Sequence, residues 1–265
     1  MIRLDEVAVT FNSGTVNEVR ALRGISLTLA DGELVTVVGS NGAGKSTLLN
    51  TISGAILPQS GRIFVAERDV TGMVEHRRAS YIGRVFQNPL DGTAAGMTVE
   101  ENLALAARRG QARGLRQAVG ESERRTFREV LTSIGLGLER RLTAPVGLLS
   151  GGQRQALTLL MATLARPLVL LLDEHTAALD PAAAAQIEAL TVQLVQEQHL
   201  ATLMVTHNMQ QALRVGTRTV MLHQGEIVLD LNAEERRGMT VEDLVRRFHE
   251  VRQQSLVDDE LLLTS

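Results

Sequence analysis

Nine consecutive residues could do chemistry together: Gly39, Ser40, Asn41, Gly42, Ala43, Gly44, Lys45, Ser46 and Thr47. They match G-x-x-x-x-G-K-[ST], a spacing suited to gripping phosphate. Glycines let backbone N–H groups converge on phosphate oxygens, and the N-terminus of a following helix adds partial positive charge. Among 27 basic residues, Lys45 is the single lysine. A point charge on a flexible stem fits such a cradle, whereas the wide planar guanidinium of arginine has a different geometry. Lys45 is therefore expected to reach the β- and γ-phosphates of a nucleotide, with the Ser46 hydroxyl as a Mg²⁺ ligand.

A second chemical pair closes the apolar run Pro167-Leu-Val-Leu-Leu-Leu-Asp173-Glu174. Ligands in open α/β folds sit at the carboxyl ends of strands, which is where this run places its two carboxylates. Asp173 is expected to hold Mg²⁺ through water, and Glu174 to polarise an attacking water. An ordinary acidic turn after a strand has the same composition; the phosphate loop upstream favours the chemical reading.

The elements that must position these groups follow from periodicity. Strands are expected at Ile2–Phe11, Ile25–Leu29, Leu34–Val38, Gly61–Val65, Ala79–Phe86, Leu168–Leu172, Ala201–Val205, Thr219–Leu222 and Glu226–Leu229. Helices are expected at Ser46–Ser53, Val99–Arg109, Glu121–Ile134, Gln153–Leu164, Pro181–Gln198 and Val241–Arg252. Short apolar strands without alternation, joined by helices, argue for an α/β fold whose parallel sheet is covered on both faces. Residues 96–165 read as a mainly helical insert, and Asp258-Asp-Glu260 with Leu261–Leu263 as a frayed end.

Composition removes several function classes. With 265 residues and 44% hydrophobic content the chain can bury a sizeable core. A net charge of −3 does not favour a broad nucleic-acid footprint, and no nucleic-acid partner is expected. Cysteine is absent, which excludes disulfides and thiolate metal sites. The first residues lack the apolar core of a secretory signal. The most apolar region, 156–172, is broken by Arg166-Pro167 and too short to span a bilayer, so any membrane role must come through a partner.

Leu149-Ser-Gly-Gly-Gln-Arg-Gln155 opens a helical pattern. Ser150-x-x-Gln153 would start a helix as a capping box in any case, and a capped helix N-terminus is also an anion site. With the phosphate loop upstream and the acidic pair downstream, the sequence resembles the ATP-binding cassette (ABC) superfamily over roughly residues 2–235. That resemblance implies a P-loop NTPase fold with a mainly parallel sheet core, an N-terminal antiparallel β subdomain and the helical insert, followed by a C-terminal extension at 236–265.

The resemblance also implies roles for single residues. Ser150, Gly151, Gly152 and Gln153 would cap the nucleotide held by a second copy, and Asp180, in Ala178-Leu-Asp180, lies in the loop that crosses to that copy. Asp180 followed by Pro181 is equally a helix start. Gln87 matches the glutamine that senses Mg²⁺ and water, His207 the switch histidine at the γ-phosphate, and Phe11 the aromatic residue that stacks on adenine. Glu174 is followed by His175, where many members carry proline.

The expected function is ATP hydrolysis, with ATP and Mg²⁺ bound, driving a transmembrane permease from the cytoplasmic face of the inner membrane. A lone cassette without membrane spans resembles the ATPase subunit of a bacterial importer, with a separate solute-binding protein and an amino acid or related small solute as cargo. The coupling surface is expected around Leu90–Met97 and the helical insert. Two alternatives stay open, the cassette of a lipid or lipoprotein exporter and a soluble ATPase acting on nucleic acid or a protein complex.

Overall fold

The computed structural model describes residues 1–111 and 119–250. Its strands are β1 Ile2–Phe11, β2 Val19–Leu29, β3 Leu34–Val38, β4 Ser60–Val65, β5 Arg68–Asp69, β6 Ile82–Val85, β7 Val169–Asp173, β8 Ala201–Val205, β9 Arg218–His223 and β10 Glu226–Leu231. Its helices are α1 Lys45–Ser53, α2 Glu75–Arg78, α3 Val99–Ala107, α4 Glu121–Ser133, α5 Gly151–Thr163, α6 Pro181–Gln198 and α7 Met209–Val215. Residues 241–250 are also helical. The acidic and apolar tail expected at 258–263 lies outside the described residues, as do the last two residues of the helix expected at Val241–Arg252 and residues 112–118 of the helical insert.

Two sheets form. β2-β1-β4-β5 is antiparallel, and β10-β9-β3-β8-β7-β6 is parallel except for β10 at its edge. Why the parallel strands carry no alternation is visible in β7. Leu170 and Leu172 enter a core shared with α3, α4, α5 and α6, while Val169 and Leu171 enter the core between the two sheets and around α1. Both faces are buried, so both sets of positions must be apolar. A third, smaller cluster seats Leu244 and Phe248 against Val38, Ala212 and Met221.

Besides the two-residue β5 and shifts of a few residues at element ends, the structure departs from the sequence expectations at three places. β2 begins at Val19 rather than Ile25, because its first half pairs with β1 through Phe11↔Val19 and Thr10↔Arg20. Residues 79–81 are not strand; a helical turn occupies Glu75–Arg78, and β6 starts only at Ile82. Helix α7 was not expected, and it is capped by Asn208, whose side chain accepts from Gln211 N.

Arg78 explains the second departure. It is wholly buried. Its Nη1 donates to Thr51 O and Ile52 O at 2.8 Å each, Nη2 to Thr71 O at 2.8 Å, and Nε to Met73 O at 2.7 Å. The guanidinium thus closes the C-terminus of α1, where cations complement the helix dipole. Burial pushes its pKa down to about 10, still far above neutrality, so it stays charged. Arg78→Met is expected to lower unfolding stability by about 3 kcal/mol, because four carbonyls lose the guanidinium as donor and only Thr51 O keeps another, the Gly54 N–H. Guanidinium-chloride unfolding at constant m-value checks this, and a midpoint equal to wild type would refute it.

Candidate functional site

The phosphate loop occupies residues 39–44, between β3 and α1. Gly39 has φ 154°, and a Cβ there would lie 2.3 Å from Leu222 O. Gly44, the N-cap of α1, has φ 102°, and its Cβ would meet Ala21 O at 2.5 Å. Side chains are excluded at both positions, so the loop stays close to β2 and β9 and presents its backbone outward. The first N–H groups of α1 have no partner inside the helix and are available to an anion.

Lys45 leads α1 and is almost fully buried. Its ammonium donates to Gly39 O at 2.7 Å and Ser40 O at 2.9 Å, folded back over the loop. Burial lowers its pKa, with Glu174 and Asp173 opposing that shift. The fold therefore holds a cation at some cost, and an arriving anion would relieve it.

The acidic end is assembled from three elements. Glu174 leaves β7 with φ 42°, its N–H donating to Val205 O at 3.0 Å. Gln87 Nε2 donates to Glu174 Oε2 at 3.2 Å, and His207 Nδ1 lies 3.2 Å from the same oxygen. The chain thus gathers onto one oxygen of Glu174 two residues that lie 120 positions apart in sequence. Asp173 is shielded, and burial raises its pKa, while Arg84, whose Nη2 is 3.8 Å away, pulls it down.

A cavity of about 750 Å³ runs from Phe11 past Asn41, Gly42, Ala43, Gly44, Lys45, Ser46 and Thr47 to Glu174, while Gly39, Ser40, Gln87, Asp173 and His207 do not line it. Ser150, Gly151, Gly152, Gln153 and Asp180 are not brought to it. They line a separate cavity of about 440 Å³ with Leu179 and Ala183. Ser150 accepts from Gln153 N at 3.2 Å, and Gln153 Oε1 accepts from Ser150 N at 3.2 Å, the reciprocal capping box. Asp180 caps α6 by accepting from Ala182 N at 3.1 Å and Ala183 N at 3.0 Å.

Sequence reasoning missed part of the cavity wall. Glu18 lines it from just ahead of β2, Val19, Arg20, Ala21 and Arg23 from the first half of that strand, and Gln224 from the β9–β10 turn. Reading β2 from Ile25 left these residues in a loop. Gln224-Gly225 between two strands is a hairpin signal, but its place beneath the phosphate loop, with Gly225 N donating to Ala43 O at 3.0 Å, is a long-range fact.

His175 resolves as a structural residue. It is buried, with Nε2 3.1 Å from Thr191 Oγ1 on α6, and burial lowers its pKa to about 4. A folded-state pKa below the unfolded value near 6.5 means stability is complete above that value and lost as pH falls through the window from about 6.5 to 4. The loss at pH 5 should be about 2 kcal/mol for this group. His175→Gln keeps a hydrogen-bonding side chain without a titration in this range, so urea unfolding at pH 7.5 and pH 5 should show a smaller drop for the variant. Equal drops would refute this account.

Comparison with known proteins places these features in a wider set. A family model described as ABC transporter matches residues 22–177. A tyrosine transport ATP-binding protein of Clostridioides difficile is 46% identical over 84% of this chain and 89% of its own length. The lipoprotein-releasing system ATP-binding protein LolD of Ruegeria pomeroyi is 36% identical over 85% of this chain and 96% of its own. Among solved structures, the dimeric post-hydrolysis ATP-binding cassette MJ0796 bound to ADP and Pi superposes with a TM-score of 0.75 at 29% identity, covering 88% of this chain and 99% of that one.

Proposed function

The chain belongs to the ABC transporter family as an ATP-hydrolysing cassette, and we propose that it powers uptake of a small solute, an amino acid or a close relative, through a membrane permease. The likeness to the tyrosine transport protein supports this choice of cargo class. The likeness to LolD supports a second reading, a cassette that drives lipoprotein release, at lower identity.

The observation that carries the mechanism is the separation of the two cavities. The first holds Lys45 and Glu174; the second holds Ser150 and Asp180. A head-to-tail pair of chains would set the second cavity of each against the first of the other, and two ATP molecules would then be sandwiched at the join. In this reading Phe11 stacks on the base, Gly39, Ser40, Asn41, Gly42, Ala43, Gly44, Lys45, Ser46 and Thr47 hold the phosphates, and Ser150, Gly151, Gly152, Gln153 and Asp180 of the second copy close the site. Glu174 polarises the attacking water, and His207 and Gln87 fix its carboxylate, His207 meeting the γ-phosphate and Gln87 sensing Mg²⁺ and water.

Ser46, Gln87 and Asp173 offer an all-oxygen donor set with one carboxylate, which fits Mg²⁺, an ion that shares its shell with waters and phosphate oxygens. When bound, the ion would neutralise charge on the β- and γ-phosphates. Among the described residues there is no cluster of three or more His, Asp or Glu that could hold a metal by itself, in keeping with a metal that arrives with the nucleotide.

We assign residues 1–235 to the nucleotide-binding unit, with the helical subdomain at about 96–165, and 236–265 to a C-terminal extension. Among the described residues no helix is long and apolar enough to cross a membrane, so a permease must supply the spans, with the cassette at its cytoplasmic face and a separate protein binding the solute outside. The surface suited to the permease is the Leu90–Met97 loop. Asn102 stitches it to α3, its Oδ1 accepting from Ala94 N at 2.8 Å and its Nδ2 donating to Thr98 O at 2.9 Å, while Leu90 stays exposed. Beside it a cavity of about 350 Å³ is lined by Arg84, Phe86 and Arg109.

Purification of the tagged chain from gently solubilised native membranes, followed by mass spectrometry, tests the assignment. A polytopic permease with a solute-binding protein is the expected result. A permease with lipoprotein-handling partners would favour the exporter reading, and recovery only with ribosomes or nucleic acid would overturn transport.

A further inference from the structure

Beneath the Glu174–His207 contact lies a closed polar network that the reading above does not use. Gln211 on α7 is buried. Its Oε1 accepts from the Thr206 hydroxyl at 2.5 Å, and its Nε2 donates to Thr176 Oγ1 and to Glu188 Oε1, each at 2.7 Å. Glu188, buried on α6, completes the set through an ion pair with Arg214. Glu188 is a carboxylate and can only accept, so the amide nitrogen must face it and the oxygen must face Thr206. Both amide protons and a carbonyl lone pair are then committed, and a buried network this fully satisfied is rigid.

The positions it joins are informative. Thr206 immediately precedes His207, and Thr176 stands two residues beyond Glu174. His207 is itself 62% exposed on its side chain, so few contacts of its own hold it in place. We propose that the Gln211 amide is a positioning group for hydrolysis: by tying Thr206 to Thr176 it fixes the two loops from which His207 and Glu174 project, and so sets their contact. The inference rests on the roles given above to Glu174 and His207.

The amide is required for its two-sided character, which no isosteric acid reproduces. Gln211→Glu replaces the donor with an acceptor facing Glu188, setting two carboxylates against each other and pushing the loops apart. Reversing the pair with Glu188→Gln in the same chain lets the new amide donate to the new carboxylate.

The test measures kcat and KM for ATP, with the urea midpoint alongside. Gln211→Glu should lose roughly tenfold in kcat, the scale of a sub-ångström misplacement of reacting groups, with KM within about twofold because the phosphate loop is untouched. The double variant Gln211→Glu/Glu188→Gln should recover most of that loss. Wild-type kcat in Gln211→Glu, a loss carried only by KM, or a double variant no better than the single one would overturn the proposal. Should Gln211→Glu not fold, Thr176→Val, which cuts one arm of the network, takes its place: a lower kcat at constant KM supports the inference and an unchanged kcat sinks it. Glu174→Gln, run in parallel, separates the two levels. Normal turnover there removes the site reading itself, whereas an inactive Glu174→Gln beside an unaffected Gln211 variant removes only the positioning role.

Discussion

Glu174→Gln is expected to reduce ATP turnover by 10²-fold or more, on the order of what removal of a positioned general base costs, and to leave a dimer that forms only with Mg²⁺-ATP. The substitution keeps shape and leaves an oxygen for Gln87 Nε2 and His207 Nδ1, which meet the native carboxylate at 3.2 Å each. What it removes is basicity. Nucleotide binding, carried by the phosphate loop at the far side of the cavity, should survive, so the chain would reach the sandwiched state and stay there, a population trapped by its ligand. Turnover and sedimentation velocity at saturating Mg²⁺-ATP check both halves. Normal turnover, or a monomer alone, would contradict the prediction.

Lys45→Ala should abolish hydrolysis, with kcat/KM falling at least 10³-fold through loss of phosphate charge stabilisation, while the fold stands. The second half of that expectation comes from the ammonium's surroundings. Lys45 is nearly buried, and burial rather than pairing dominates its pKa, which is lowered. A group held against its solvation preference contributes little to folding, so its removal should leave the melting temperature within a few degrees of wild type, as for other sites where function is held at the expense of stability. A large loss of stability would show that the bonds to Gly39 O and Ser40 O hold the loop together; retained turnover would remove the phosphate role.

The parallel strands were legible because each is apolar on both faces. Val169–Leu172 is valine and leucine throughout, and Ala201–Val205 is buried at every residue, its one polar side chain, Thr202, donating to Leu200 O. Helix starts were legible at Ser150 and Asp180, where cap chemistry is local, and both caps form with the expected donors. The phosphate loop was legible as a residue pattern, although its glycines answer to two distant strands, Gly39 to Leu222 O of β9 and Gly44 to Ala21 O of β2.

What the sequence did not disclose depends on distance along the chain. The first half of β2 is strand because it pairs with β1; Val19, Arg20 and Arg23 are exposed and only Leu22 there is buried, which is too sparse a pattern to read as a strand. Arg78 reads as one more basic residue in Glu75-His-Arg-Arg78, yet it is the largest fully buried side chain among the described residues, held by carbonyls of α1 some 26 and 27 positions away. The Gln211 network needs α6, α7 and two loops to be in place before its partners meet. His175, where the family pattern often has proline, gained meaning only when Thr191 appeared beside it.

The central claim is that each ATP site is built from two chains. Mixing two inactive variants tests it directly, Lys45→Ala, defective in the first cavity, and Ser150→Phe, blocked in the second. In a head-to-tail pair of unlike chains, one site inherits both defects and the other inherits none. Since half the dimers in an equal mixture are mixed, turnover should return to as much as about a quarter of wild type. A mixture as inactive as its two components would contradict the composite site and confine the chemistry to a single chain.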